Sequence, residues 1–146
     1  MTLDPQVSGG PAALVERLRR AVTDHDLDGV VSCFAVDYRN ETPVHPGRGF
    51  TGREQVRHNW EQIFTAVPDI RADVLRCSVD GDIAWTEWEH RGVRVDGSPH
   101  LMRGVVIFGV DDGLAAWARF YLEPVNDDGI DADRAVASLV HPTSAS

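Results

Sequence analysis

Apolar residues fall at helical spacing in the first part of the chain and at strand spacing in the second. After Pro11, Leu14, Leu18, Ala21 and Val22 form a stripe flanked by Glu16, Arg17, Arg19 and Arg20, which predicts a first amphipathic helix. Asp24-His25-Asp26 interrupts it, and Asp26 suits the cap of a short second helix over 27–34. Residues 36–42 read as a strand stopped by Pro43. Thr51-Gly52-Arg53-Glu54 has the form of a capping box, so a third helix is expected there. Its stripe is Val56, Trp60, Ile63, Phe64 and Val67, with Pro68 after its end. Asp-Gly pairs then recur at 80/81, 96/97 and 112/113 between apolar runs, as in hairpin turns. They predict an antiparallel meander over 70–80, 82–95, 98–111 and 114–124. The order α-α-β-α-β-β-β-β, with three helices segregated from a curved antiparallel sheet, is an α+β fold.

Both faces of the late strands are apolar. Val105 and Ile107 point one way, Val106 and Phe108 the other. One face packs on the helices. The other, assigned Phe120 and Leu122, is a large exposed patch unless another chain covers it, which predicts a homodimer through the outer sheet face. Residues 1–10 read as a flexible N-terminal tail and 11–125 as a single domain. Residues 126–146 read as an acidic C-terminal extension, with the pattern of a short helix near 131–140.

Composition narrows the partners. The 146 residues fit one domain, and 14 Lys and Arg against 23 Asp and Glu give a net charge of −9. That charge argues against nucleic acid and anionic membrane. No apolar run reaches the roughly 18 residues of a membrane span, and no secretory signal is visible at the start, so a cytoplasmic location is expected. Cys33 and Cys77 form no Cys-x-x-Cys motif. Gly47-Arg48-Gly49-Phe50-Thr51-Gly52 matches G-x-G-x-x-G, but hairpins follow where a dinucleotide site needs a βαβ unit. The six histidines include no pair at helical i, i+4 spacing, and there is no G-x-S-x-G elbow. No cofactor and no metal are expected.

Two strands carry candidate chemistry. Tyr38, Asn40 and Thr42 share a strand face, where Tyr38 donates a hydrogen bond and Asn40 donates or accepts. In 82–95, Ala84, Thr86, Trp88 and His90 share one face, and Ile83, Trp85, Glu87 and Glu89 the other. Glu87 and Glu89 then need cationic partners, from Arg39, Arg91 or a second subunit. His90 is the group suited to proton transfer near neutrality. A two-residue turn at Asp96-Gly97 sets His90 opposite Arg103 and Trp88 opposite Val105. The last turn leaves two registers open. A two-residue Asp112-Gly113 turn sends Arg119 to the Glu87 side, whereas a three-residue turn with a bulge sets Arg119 opposite Val105 and Tyr121 opposite Arg103.

The order of elements, the Tyr38-x-Asn40 strand and the Gly52-Arg53-Glu54 helix start resemble the nuclear-transport-factor-2-like superfamily, over about residues 12–124. Within it, the SnoaL-like polyketide cyclases and the limonene-epoxide-hydrolase-like proteins look most similar. The resemblance implies a cone, a bent sheet wrapped on helices around an apolar ligand cavity, often as a dimer. Tyr38 and Asn40 match the Tyr and Asn that limonene epoxide hydrolase sets beside its catalytic water. That enzyme's Arg-x-Asp pair is replaced here by Trp88-x-His90, and its Asp after the last-strand Trp by Arg119 after Trp117. The general-base Asp of the ketosteroid isomerases looks to be Thr42, before Pro43. The epoxide-hydrolysis mechanism therefore does not carry over. The resemblance favours the bulged last turn, with Arg119 inward beside His90.

The expected function is a cofactor-independent enzyme using proton-transfer chemistry (isomerase, cyclase, dehydratase or hydrolase) on a small, mostly apolar metabolite. His90 is the expected general acid or base. Tyr38 and Asn40 would hydrogen-bond a carbonyl, enolate or water, and Arg119, helped by Arg103, would stabilise negative charge. Trp60, Trp88 and Tyr121 would supply apolar walls. Two arginines inside a net-acidic protein point to a carboxylate or enolate on the ligand. The rival is a non-catalytic binding or interaction domain of the same fold. Access of His90 to an open cavity discriminates the two.

Overall fold

Pro11 occupies the first turn of α1 (Pro11–Thr23), where its missing N–H costs no hydrogen bond. Leu14, Val15, Leu18, Ala21 and Val22 form the buried stripe of this helix. The structure is a computed structural model describing residues 10–141, so the tail expected over 1–10 lies outside the described residues except for Gly10. In α2 (Leu27–Ser32), Asp26 caps as expected, its carboxylate accepting from the Gly29 N–H at 3.0 Å. Then come β1 (Phe34–Glu41), a 3₁₀ turn (Pro46–Arg48), β2 (Phe50–Thr51) and α3 (Arg53–Ala66). The capping box does not form: Thr51 is in β2, and the cap of α3 is Gly52, which takes no side-chain cap bond. The chain must turn sharply from strand into helix there, and Gly52 supplies the φ of 99°.

The meander follows as β3 (Arg71–Asp80), β4 (Ile83–Val93), β5 (Pro99–Asp111) and β6 (Leu114–Pro124). The last element among the described residues is α4 (Ala132–Val140), where the Asp131 carboxylate accepts from the Arg134 N–H at 3.0 Å. The sheet order is β2-β1-β6-β5-β4-β3. β1 lies parallel to β6, so the six-stranded sheet is mixed rather than wholly antiparallel. α1 packs across β3, β4 and β5, and α3 packs on α2 and β1. This α+β core is filled by Leu14, Leu18 and Val22 of α1 against Trp88, Val106 and Phe108 of the sheet. Among the described residues no helix is long and apolar enough to cross a membrane.

Two turns decide which side chains face the helices. Between β4 and β5 the loop has three residues, Val95-Asp96-Gly97, closed by the Arg94 N–H to the Ser98 carbonyl at 2.8 Å. Asp96 stabilises it by accepting from both the N–H and the hydroxyl of Ser98, at 2.9 and 2.6 Å. The register therefore differs by one residue from a two-residue turn: His90 pairs with Met102, Trp88 with Gly104 and Glu89 with Arg103. Between β5 and β6 the turn is Asp112-Gly113, both at positive φ (53° and 76°), as a type I′ turn requires. A shift between Gly109 and Val110 then inserts an extra residue in β6, so Arg119 pairs with Ile107 and Tyr121 with Val105. This parity puts Phe120 and Leu122 on the inner face against the core, correcting their expected place on the outer one. The outer face instead shows Trp85 (50% exposed), Val105 and Tyr121.

Gly104 sits where the backbone of β6 approaches closely. Its φ is 154°, and a Cβ there would lie 2.1 Å from the Tyr121 carbonyl oxygen. Gly104→Ala is expected to lower the unfolding free energy by about 2 kcal/mol or more, by strain and backbone displacement. Urea denaturation checks this; a loss under about 0.5 kcal/mol would show that the ladder tolerates a side chain.

Candidate functional site

The β1 alternation points Tyr38 and Asn40 inward and Arg39 and Glu41 outward. Tyr38 is fully buried, its ring edge-on to Phe34 (4.7 Å) and near Phe50 (6.0 Å). Its hydroxyl donates to Asn40 Oδ1 at 2.8 Å, and Asn40 Nδ2 donates to Thr42 Oγ1 at 3.3 Å. Burial pushes the Tyr38 pKa well up, so the phenol keeps its proton near neutrality. That proton is committed to Asn40, and the second N–H of Asn40 is the donor left for a ligand.

This polar ladder borders a cavity of about 490 Å³. Its apolar wall is Phe34, Phe50, Val56, Ile63, Met102, Phe120 and Leu122; its polar groups are Tyr38, Asn40, Thr42, Arg48, Asn59 and Gln62. Among the described residues no carboxylate lines it.

His90 lies elsewhere. It is 7% exposed, with its ring 5.9 Å from Trp60 and 5.6 Å from Trp88. It borders a second cavity of about 30 Å³, whose other walls are Leu18, Val22, Trp60, Trp88, Val106, Phe108, Phe120 and Leu122. That volume holds one or two waters, but its walls are aromatic and aliphatic apart from the ring nitrogens of His90 and the tryptophans, so the space favours apolar contents. Burial, with a smaller contribution from His100, pushes the His90 pKa down to about 4. The imidazole is neutral at pH 7, and the same desolvation opposes its taking up a proton. Phe120 and Leu122 line both cavities and stand between His90 and the Tyr38–Asn40 ladder.

The remaining expected residues divide. Trp60 and Trp88 wall the His90 cavity; Trp88 is fixed by donating from Nε1 to Thr86 Oγ1 at 2.7 Å. Arg103 points outward, because the three-residue turn gives it the parity of Glu89; its Nε donates to Glu89 Oε2 at 2.8 Å. Arg91 pairs with the other oxygen of the same carboxylate. Glu89 is thus covered by two guanidinium groups on the outer face, and the Arg103 hydrogen bond leads in holding its carboxyl below the usual range. Arg119 also points outward, 3.3 Å from Glu41: it pairs with Ile107, which shares a face with the expected partner Val105, but the three-residue β4–β5 turn sends that face of β5 outward. Tyr121 lies beside it on the outer face, 3.5 Å from its guanidinium. Arg103 and Arg119 line neither the 490 Å³ cavity of Tyr38 nor the cavity of His90, although Arg119 borders a separate pocket of about 260 Å³ that Asn40 and Thr42 also reach.

Several lining residues escaped the sequence reading. Asn59, Gln62 and Ile63 share one face of α3 at i, i+3, i+4 spacing, which sequence could have shown. Arg48 comes from the loop before β2, where no periodicity operates.

Residues 15–118 match the SnoaL-like domain family. The chain belongs to that family. Solved structures share its fold at low identity. IdmH of Streptomyces antibioticus, a proposed polyketide cyclase, superposes with a TM-score of 0.67 at 21% identity, covering 90% of this chain and 99% of IdmH. An LEH-like epoxide hydrolase of M. tuberculosis gives 0.66 at 22%, covering 89% and 94%. A Catenulispora acidiphila protein of ketosteroid isomerase-like fold, solved with trimethylamine, gives 0.65 at 16%, covering 77% and 87%. No curated protein matches the chain.

The SnoaL-like core makes stability depend on pH through His90. Its folded pKa lies below its unfolded value of 6.5, so its contribution is complete above pH 6.5 and is lost as pH falls toward about 4. The loss over that window is about 3 kcal/mol. His100, whose pKa is lowered by its own burial and by Arg94, adds in the same sense. His90→Gln should flatten most of this slope in urea unfolding measured across the window; an unchanged slope would place the titration elsewhere.

Proposed function

We propose that this SnoaL-like protein is an enzyme that binds a small, mostly apolar metabolite inside the cone and moves protons on it, with His90 as the base. The observation that supports this is a neutral, buried imidazole beside apolar walls, a few side chains from a cavity whose hydrogen-bonding groups are uncharged except for Arg48. Asn40, oriented by Tyr38, donates to the ligand's carbonyl or enolate oxygen, while Tyr38 acts through Asn40. Trp60 and Trp88 hold the imidazole ring in place. Phe120 and Leu122 must move for a ligand in the larger cavity to touch His90. The reaction class is isomerisation, cyclisation, dehydration or hydrolysis.

A non-catalytic binding domain is the second reading, favoured by that same wall of Phe120 and Leu122 and by the outward turn of both arginines. Deuterium exchange at carbon α to the carbonyl, read by NMR over a panel of bicyclic ketones in D₂O, separates the two. The wild type is expected to accelerate exchange, and His90→Gln to remove about 10²-fold or more of that acceleration while leaving the protein folded. Unchanged exchange in the variant overturns the role of His90. Ketone binding without exchange in the wild type supports the second reading.

The reading includes a homodimer through the outer sheet face, where Trp85, Val105 and Tyr121 are exposed. Sedimentation velocity should show a dimer that Trp85→Glu shifts to monomer; a monomeric wild type overturns it.

A further inference from the structure

The larger cavity has an uneven set of hydrogen-bonding groups. Among the described residues Arg48 is its one charged lining residue, in a chain whose net charge is −9. The 3₁₀ turn Pro46–Arg48 carries it to the mouth, where its side chain is 62% exposed. Its nearest carboxylate, Glu123, is 3.9 Å away, and the other oxygen of Glu123 is taken by His45 Nε2 at 2.9 Å. A contact of 3.9 Å is longer than a charge-assisted hydrogen bond, so the guanidinium keeps donors to give.

Of the three lining amides, Gln62 donates to His58 Nε2 at 2.9 Å and keeps its Oε1 as a free acceptor, while Asn59 and Asn40 add donors. Asn59 Oδ1 accepts from Gln55 at 2.8 Å, which occupies its acceptor and leaves its NH₂ free. Asn40 Oδ1 accepts from Tyr38, which again leaves an N–H over. Free donors therefore outnumber free acceptors around the polar side of a cavity whose other side is aromatic and aliphatic. A group that only accepts hydrogen bonds, and carries negative charge, satisfies such a rim; a carboxylate is that group.

Building on the pocket reading above, we infer that the ligand is an amphipathic carboxylate, its carboxylate on Arg48 and Asn59 at the mouth and its apolar body inward against Phe34, Phe50 and Ile63. The charge then stays half-solvated, which avoids the cost of burying an ion, while the body loses its contact with water. Arg48 is the specificity-determining residue for the acid, a part that Arg103 and Arg119 cannot take from the outer face.

Titration calorimetry with 2-naphthylacetate and its neutral analogue 2-naphthylacetamide tests this. The acid is expected to bind about tenfold more tightly than the amide at low salt. Arg48→Gln should weaken the acid about tenfold and leave the amide within about twofold. Arg48→Lys should recover only part of the preference, because a point charge replaces a fork. Equal binding of acid and amide, or equal loss of both in Arg48→Gln, overturns the anionic head while the pocket reading stands. Failure of both probes to bind overturns both.

Discussion

The pairing of Trp88 with Gly104 governs the contents of the interior. Gly104 lets β6 approach without a side chain between, and the turn at Val95-Asp96-Gly97 holds the ladder in that register. With it fixed, Thr86, Trp88 and His90 face the helices, while Glu87 and Glu89 face out. A slip of one residue would put both carboxylates among Leu18, Val22 and Phe108, at a cost of several kcal/mol for each unpaired charge. Outside, the same carboxylates meet Arg76, Arg91 and Arg103. Turn chemistry, packing and charge thus select one register together.

That register leaves an interior with little charge. Tyr38 is held protonated and His90 neutral by the same cause, desolvation. An imidazole in an apolar recess accepts a proton only if a negative charge forms close by at the same time. Abstraction of a proton next to a carbonyl meets that condition, since the enolate appears as the imidazolium does. The Asn40 N–H borders the other cavity, and Phe120 and Leu122 line both, so under the proposed reaction these two side chains must move before base and oxyanion donor can meet on one ligand.

Most of the architecture was readable from periodicity. The stripes of α1 and α3, the Asp26 cap and the four late strands each rest on local patterns that the fold respects. The inward set of β4 was readable too, because Ala84, Thr86, Trp88 and His90 alternate with charged or exposed residues. Arg103, Arg119, Phe120 and Leu122 were not, because their direction depends on the parity of a loop and of one bulge. Asp96-Gly97 reads equally well as a two-residue turn or as the end of a three-residue one; the Asp96 bonds to Ser98 decide it, and these are tertiary detail. The parallel entry of β1 beside β6 leaves no local signature either, since it depends on how the meander curls.

The misplaced arginines change the direction of the chemistry more than its kind. Cations deep inside would have drawn a ligand's charge toward His90 and raised the cost of protonating that ring. With Arg103 and Arg119 outside and Arg48 at the mouth, the charge of an acidic ligand stays beside solvent and its apolar end points inward. The far end of such a ligand is then the part nearest Phe120, Leu122 and the imidazole. Binding energy gathered at the mouth, remote from the reacting atoms, is available to displace that apolar wall, which is where a ligand held only by its apolar body would stop.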